Sequence, residues 1–281
     1  MKNITISNKN FEPLAEEIKR FCRAQKSWNK CFGIGSNKTG TTSLAHIFKD
    51  LFGYRCNQSK VELTSTIQII KGNFMPFKQV MSELDFHQDL PISQGHYYIA
   101  IDALFPNSKF ILTTRDSRSW AESTLRRYGN RLIHVALNLE SLPRASLFTG
   151  YSHSWISHFM RKQIAILKTD LEKRQLSDGL PPKDYEFSSE LKASLIKDYE
   201  ERNEEIINYF KYRPDDLLVI DLSCELNTRK ITKFLGISCH FSAPIPHKNK
   251  KSAGTTEREI QEISIDLDAI SINQILGKSL F

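Results

Sequence analysis

The stretch Cys31-Phe-Gly-Ile-Gly35-Ser-Asn-Lys-Thr-Gly40-Thr-Thr-Ser-Leu44 constrains this chain more than any other. A short apolar run reads as a buried strand, and two glycines punctuate a turn. Leu44, Ile47, Phe48 and Leu51 then recur at helical spacing from Thr41 onward. Strand, glycine loop and helix in immediate succession is the arrangement in which backbone N–H groups cradle a phosphate-like anion.

The remaining chain repeats that alternation. Phe11 to Ala24 reads as a helix, Asp85 to Leu90 as a short strand and Gly95 to Phe105 as a helix. Lys109 to Thr114 reads as a strand behind the turn Pro106-Asn107-Ser108. A helix then runs through Arg126, with Ser119 and Glu122 as a capping box or with Asp116 or Ser117 as an earlier start. Leu191 to Phe210 is a long amphipathic helix, Leu217 to Asp221 a buried strand, and Arg229 to Leu235 a helix closed by Gly236. Alternating strands and helices predict a three-layer α/β/α fold with a mostly parallel central sheet, of the P-loop nucleotide-binding type. We expect one domain over residues 1–281, with 129–182 as an insertion that breaks the alternation.

The loop Gly35 to Thr42 nearly fits the nucleotide pattern G-x-x-x-x-G-K-[ST], with one displacement. Thr41 stands where the lysine should be, and Lys38 lies inside the loop instead, so the β/γ-phosphate clamp of a kinase is lost while a cation still faces the anion. Lys38-Thr39-Gly40-Thr41-Thr42 resembles the first loop of the sulfotransferases that use 3′-phosphoadenosine 5′-phosphosulfate (PAPS), which wraps the 5′-phosphosulfate. A second match follows in order. Arg115, ending a strand, and Ser123, eight residues later, resemble the pair that holds the 3′-phosphate, where an Arg fork and a hydroxyl suit a phosphate group. Lys248-Asn249-Lys250, within a basic loop reaching Gly254, resembles the segment that closes over the same phosphate. The chain departs from the pattern after Thr42, where Ser43 replaces the Trp that helps stack adenine in many members.

The resemblance extends to the base. A catalytic His precedes Leu-Pro in the cytosolic branch, and here Phe86-His87-Gln88-Asp89-Leu90-Pro91 puts Asp89 in that place. His87, two residues earlier, is expected on the same strand face as a rival or partner. The resemblance implies in-line attack by an acceptor hydroxyl or amine, with Lys38 stabilising the leaving oxygen and no metal. The acceptor would be a small molecule or glycan, in a pocket shaped by 129–182. Leu217 to Asp221 also looks like a Walker B strand, so a P-loop kinase or NTPase stays open, as does a non-catalytic protein binding nucleotides or polyanions.

Composition narrows the setting. Lys plus Arg 39 against Asp plus Glu 32 gives a net charge of +7, which favours anionic ligands; we expect no nucleic-acid partner. Five scattered cysteines show no zinc pattern and suit free thiols in a reducing compartment. No apolar leader is present and no run reaches the ~18 apolar residues of a membrane span, so a cytoplasmic protein is expected.

Overall fold

A computed structural model describes residues 11–56, 65, 66, 68–137, 160–174, 185–237 and 243–246. Four short strands form a parallel sheet in the order β2-β1-β3-β4, with β1 Cys31–Gly33, β2 Phe86–Gln88, β3 Lys109–Thr113 and β4 Leu217–Ile220. The registers Phe32↔His87 and Phe32↔Phe110 centre the sheet on β1, whose residues are all buried, as a continuously apolar central strand requires.

Alternation along the strands separates two cores. Cys31, Ile111 and Ile220 face Ile18 and Cys22 of α1 (Phe11–Ala24), Leu44 of α2 (Thr41–His46) and Ile231. Phe32, Phe110 and Leu112 face Phe77 of α3 (Met75–Ser82) and Tyr98 and Ile101 of α4 (Tyr97–Leu104). Helices on both faces of a parallel sheet make three layers, the predicted fold class. The end of β2 is anchored by Asp85, whose carboxylate takes Lys26 at 2.6 Å and Arg55 at 3.0 Å. Burial favours its neutral form, but the hydrogen bonds from Arg55 and Lys26 outweigh this and hold it well below the usual carboxylate range.

A third core lies among helices alone: α5 (Ser117–Ala136), α6 (Arg161–Lys173) and the first half of α7 (Ser189–Phe210) bury Leu132, Leu167, Leu171, Leu191 and Leu195 together. Asp116 caps α5 by accepting from the Ser119 N–H at 2.8 Å, and the helix continues past Arg126 to Ala136 because Leu132, Ile133 and Ala136 extend its apolar face. Within 129–182, then, Gly129 to Ala136 belong to α5 and 161–173 form α6; 138–159 and 175–182 lie outside the described residues. Helix α3, with Pro in its first turn, was not anticipated, being short and poorly patterned. Helix α8 (Arg229–Phe234) is followed by Gly236 at φ 71°, as expected of a helix stop. Cys22 and Cys31 are buried thiols, Cys56 is partly buried and Cys224 exposed. No helix among the described residues is long and apolar enough to cross a membrane.

Candidate active site

The loop after β1 is fixed by contacts too close for any larger residue. A Cβ at Gly35 would stand 2.1 Å from Thr113 Oγ1 and 2.5 Å from the Thr113 carbonyl oxygen, so the loop can cross β3 there only as glycine. Thr39 donates to the Ser36 carbonyl at 2.6 Å and accepts from Thr113 Oγ1 at 2.6 Å, which ties the turn to the same residue. Gly40 adopts φ 97° and precedes α2. Thr41 and Ser43 are buried against the sheet side, while Thr42 is exposed.

Cations gather at this loop. Arg115 has its backbone held from both sides by Tyr199, whose hydroxyl accepts from the Arg115 N–H at 3.0 Å and donates to its carbonyl at 3.2 Å. Its Nη1 lies 3.5 Å from the Lys38 carbonyl, and Ser123 is half-buried on α5. Lys38 itself has φ 74°. Burial, followed by the positive charges of Arg127, Arg115 and Arg126, pushes its ammonium below the usual lysine range, with Asp89 opposing. The crowding shows that cations from two elements bear on one spot, where an anion would relieve it. Lys248, Asn249 and Lys250 lie outside the described residues.

His87 and Asp89 part company. His87 is in β2 and points into the sheet core, edge-on to Phe77 at 5.1 Å, with Nε2 donating to the Leu90 carbonyl at 3.2 Å and Nδ1 unpartnered. Burial pushes its imidazole down to about 4, so it is neutral at physiological pH. Asp89 lies one residue beyond the strand at φ 71°, so strand alternation does not carry it to the face of His87. Its carboxylate accepts the Leu90 N–H at 3.1 Å. Burial raises its pKa above the ordinary carboxylate value, opposed by Asn37, the Leu90 amide and Lys38.

Asn37 is the residue that sequence reasoning missed. Its side-chain oxygen accepts from Ser93 at 2.9 Å and Gln94 at 3.3 Å, its amide donates to Tyr128 at 3.3 Å, and its carbonyl takes the Trp120 indole N–H at 2.8 Å. It joins the loop to a cavity of about 200 Å³ lined by Ser36, Trp120, Thr124, Tyr199 and Arg202 among others. Trp120 and Tyr199 stack at 4.3 Å and form one wall of it. Arg202 was legible in principle, since a cation on the stripe Leu191, Leu195, Tyr199, Ile206, Phe210 interrupts an otherwise apolar helix face. Among the described residues no group of His, Cys, Asp and Glu side chains could hold a metal ion.

A tight glycine loop after the central strand, cations converging on it and a cavity beside it suit transfer of an anionic group to a bound molecule. No curated protein matches the chain. The family model described as a sulfotransferase domain matches residues 30–254, a span that holds the whole sheet, the loop, Arg115, Ser123 and the cavity. With most of its length covered, the chain belongs to the sulfotransferase domain family.

Proposed function

We propose that this sulfotransferase takes its sulfuryl group from PAPS and passes it to a hydroxyl held in the cavity beside Asn37. The observation that carries the proposal is the glycine loop after β1, with Lys38 inside it and Arg115 Nη1 3.5 Å from the Lys38 carbonyl, a setting for a donor with phosphate at both its 5′ and 3′ ends. Lys38, inside the loop, serves the 5′-phosphosulfate, with Thr39, Gly40, Thr41, Thr42 and Ser43 around it. Arg115 and Ser123 serve the 3′-phosphate, joined by Lys248, Asn249 and Lys250.

In the transfer, the acceptor oxygen bonds to sulfur as the bond from sulfur to the bridging oxygen breaks. That oxygen leaves with its electron pair on the 5′-phosphate. Lys38 offsets the charge developing there, the kind of preorganised stabilisation worth typically ~10²- to 10³-fold per donor. The acceptor proton passes to Asp89, whose raised pKa makes it a better base than an ordinary carboxylate. The products are the sulfate ester and 3′,5′-ADP. His87, neutral and edge-on to Phe77, supports the turn that carries Asp89 through Leu90.

A thermal-shift comparison tests the donor assignment. At ~100 times its Kd, 3′,5′-ADP should add about 2.7 kcal/mol of stability and raise the melting temperature well above the shift given by ATP with magnesium. Equal shifts, or magnesium-dependent ATP turnover, would overturn it in favour of an NTPase.

A further inference from the structure

Lys38 and Asp89, the two residues given chemical roles, follow different strands, β1 and β2, so their reach to one another depends on what joins the ends of those strands. Asn37, the residue before Lys38, makes that join. Its side-chain oxygen accepts from Ser93 Oγ at 2.9 Å and from Gln94 Nε2 at 3.3 Å. Ser93 is fully buried, and its N–H returns to the Asp89 carbonyl at 2.9 Å, so it closes the turn that Asp89 opens. Within that turn the Leu90 N–H donates to the Asp89 carboxylate at 3.1 Å, and the Leu90 carbonyl accepts from His87 Nε2 at 3.2 Å. The turn is thus braced by β2 at one end and by Asn37 at the other.

A third element holds Asn37 itself. Its amide donates to Tyr128 Oη at 3.3 Å and its carbonyl accepts from Trp120 Nε1 at 2.8 Å, from positions on α5 that lie ~12 Å apart along the helix. A primary amide can accept two hydrogen bonds on its oxygen while donating from its nitrogen, and all three are used here. Alanine at this position would take the acceptor away from Ser93 and Gln94 but leave the tie from Trp120 to the backbone carbonyl. Asn37, Gln94 and Tyr128 also line the cavity proposed for the acceptor. The donor loop, the base-bearing turn and the cavity wall therefore meet at one side chain.

We propose that Asn37 is a positioning residue that couples the donor loop to the base-bearing turn, so that a nucleotide seated on the loop also settles Asp89 for the acceptor. The link runs from the loop through the Asn37 amide to the Ser93 hydroxyl, and from the Ser93 N–H to the Asp89 carbonyl. Such a path amounts to coupling only when both of its ends respond to one ligand. The inference rests on the PAPS reading and on Asp89 as the base, and it adds the residue that makes one depend on the other.

The test is amide hydrogen exchange of the full chain with and without saturating 3′,5′-ADP. In the parent the nucleotide should slow exchange at residues 39–44 of the loop. It should also slow Leu90, Ser93 and Gln94 of the turn by ~3- to 10-fold, the scale of one hydrogen bond made firmer. Asn37→Ala should keep the slowing in the loop and lose it in the turn. Ser93→Ala cuts the same link from the other end and leaves the bonds from Asn37 to α5 in place, so it carries the test if the Asn37 variant does not fold. A residue that only packs would change exchange in the turn equally with and without nucleotide; positioning predicts the part that depends on nucleotide. Slowing in the parent's loop with none in its turn, or slowing in the turn that survives in either folded variant, overturns this inference and leaves the PAPS reading standing. No slowing at the loop overturns the PAPS reading and this inference with it.

Discussion

The glycine loop and the cavity beside it share residues yet are built on opposite plans. The loop is closed by backbone and small side chains within a few residues, with Thr39, Ser36 and Thr113 satisfying one another and the cations left at its rim. The cavity is assembled by side chains from distant elements, with Trp120 of α5 stacked on Tyr199 of α7 as one wall. A self-satisfied loop can serve one donor whatever the acceptor. A cavity built by side chains from several elements sets acceptor choice through its shape and its few polar groups. Donor use and acceptor choice should therefore respond to different substitutions.

The widest separation is expected at Lys38. Lys38→Ala should lower turnover by ~10²- to 10³-fold with a smaller change in 3′,5′-ADP affinity, because its charge matters most as the bridging oxygen becomes an anion. Single-turnover rates beside equilibrium binding check this; a variant that binds weakly but turns over normally would move Lys38 out of the transition state.

Asp89→Asn should cost ~10²-fold or more in turnover while 3′,5′-ADP binding persists, with His87→Asn within a few-fold of the parent. The parent's activity should fall on the acid side through a pKa above the ordinary ~3.9, and that limb should vanish in the Asn variant. The sign for stability runs the same way. A carboxyl whose folded pKa is raised contributes stability at low pH and loses it as pH rises through that pKa, so Asp89→Asn should melt no lower than the parent at neutral pH. If His87→Asn is the dead variant instead, the base is His87.

Arg115→Ala should weaken 3′,5′-ADP by ~10- to 100-fold in calorimetric titration, and an unaltered affinity would remove Arg115 from the donor site. Tyr199→Phe probes where loop and cavity are joined. It removes the hydroxyl that clamps the Arg115 backbone but keeps the ring against Trp120, and should cost about 1 kcal/mol of stability with a few-fold loss of 3′,5′-ADP affinity. An unchanged 3′,5′-ADP affinity would show that the shared wall transmits nothing to the loop.

The same contrast explains what the sequence made legible. The glycine loop was readable from its local pattern because it is fixed by its own strand-to-helix turn, and the Arg115–Ser123 pairing was suggested by a family resemblance. Asn37 carries no such local pattern, since its meaning depends on Ser93 at a separation of 56 residues and Tyr128 at 91. Arg202 is held by the Ile34 carbonyl across 168 residues, a pairing no local pattern encodes. The expected shared face of His87 and Asp89 failed for a local reason: β2 ends at Gln88, and Asp89 turns left-handed. Apolar periodicity placed the sheet and its flanking helices other than α3 but could not show that α5, α6 and α7 form a core of their own.

The backbone at Lys38 and Asp89 bears on how this protein can be altered. Both lie in the left-handed region, at φ 74° and 71°, where most residues with a Cβ are disfavoured by roughly 1–2 kcal/mol while glycine, asparagine and aspartate fit more readily. Asp89 thus suits its backbone, and Lys38 is the position where the fold would prefer another residue. A library screened only for heat resistance should enrich Gly or Asn at 38 and return hardy, inactive protein, whereas alternating that screen with one for turnover should hold Lys38 fixed and find its gains elsewhere.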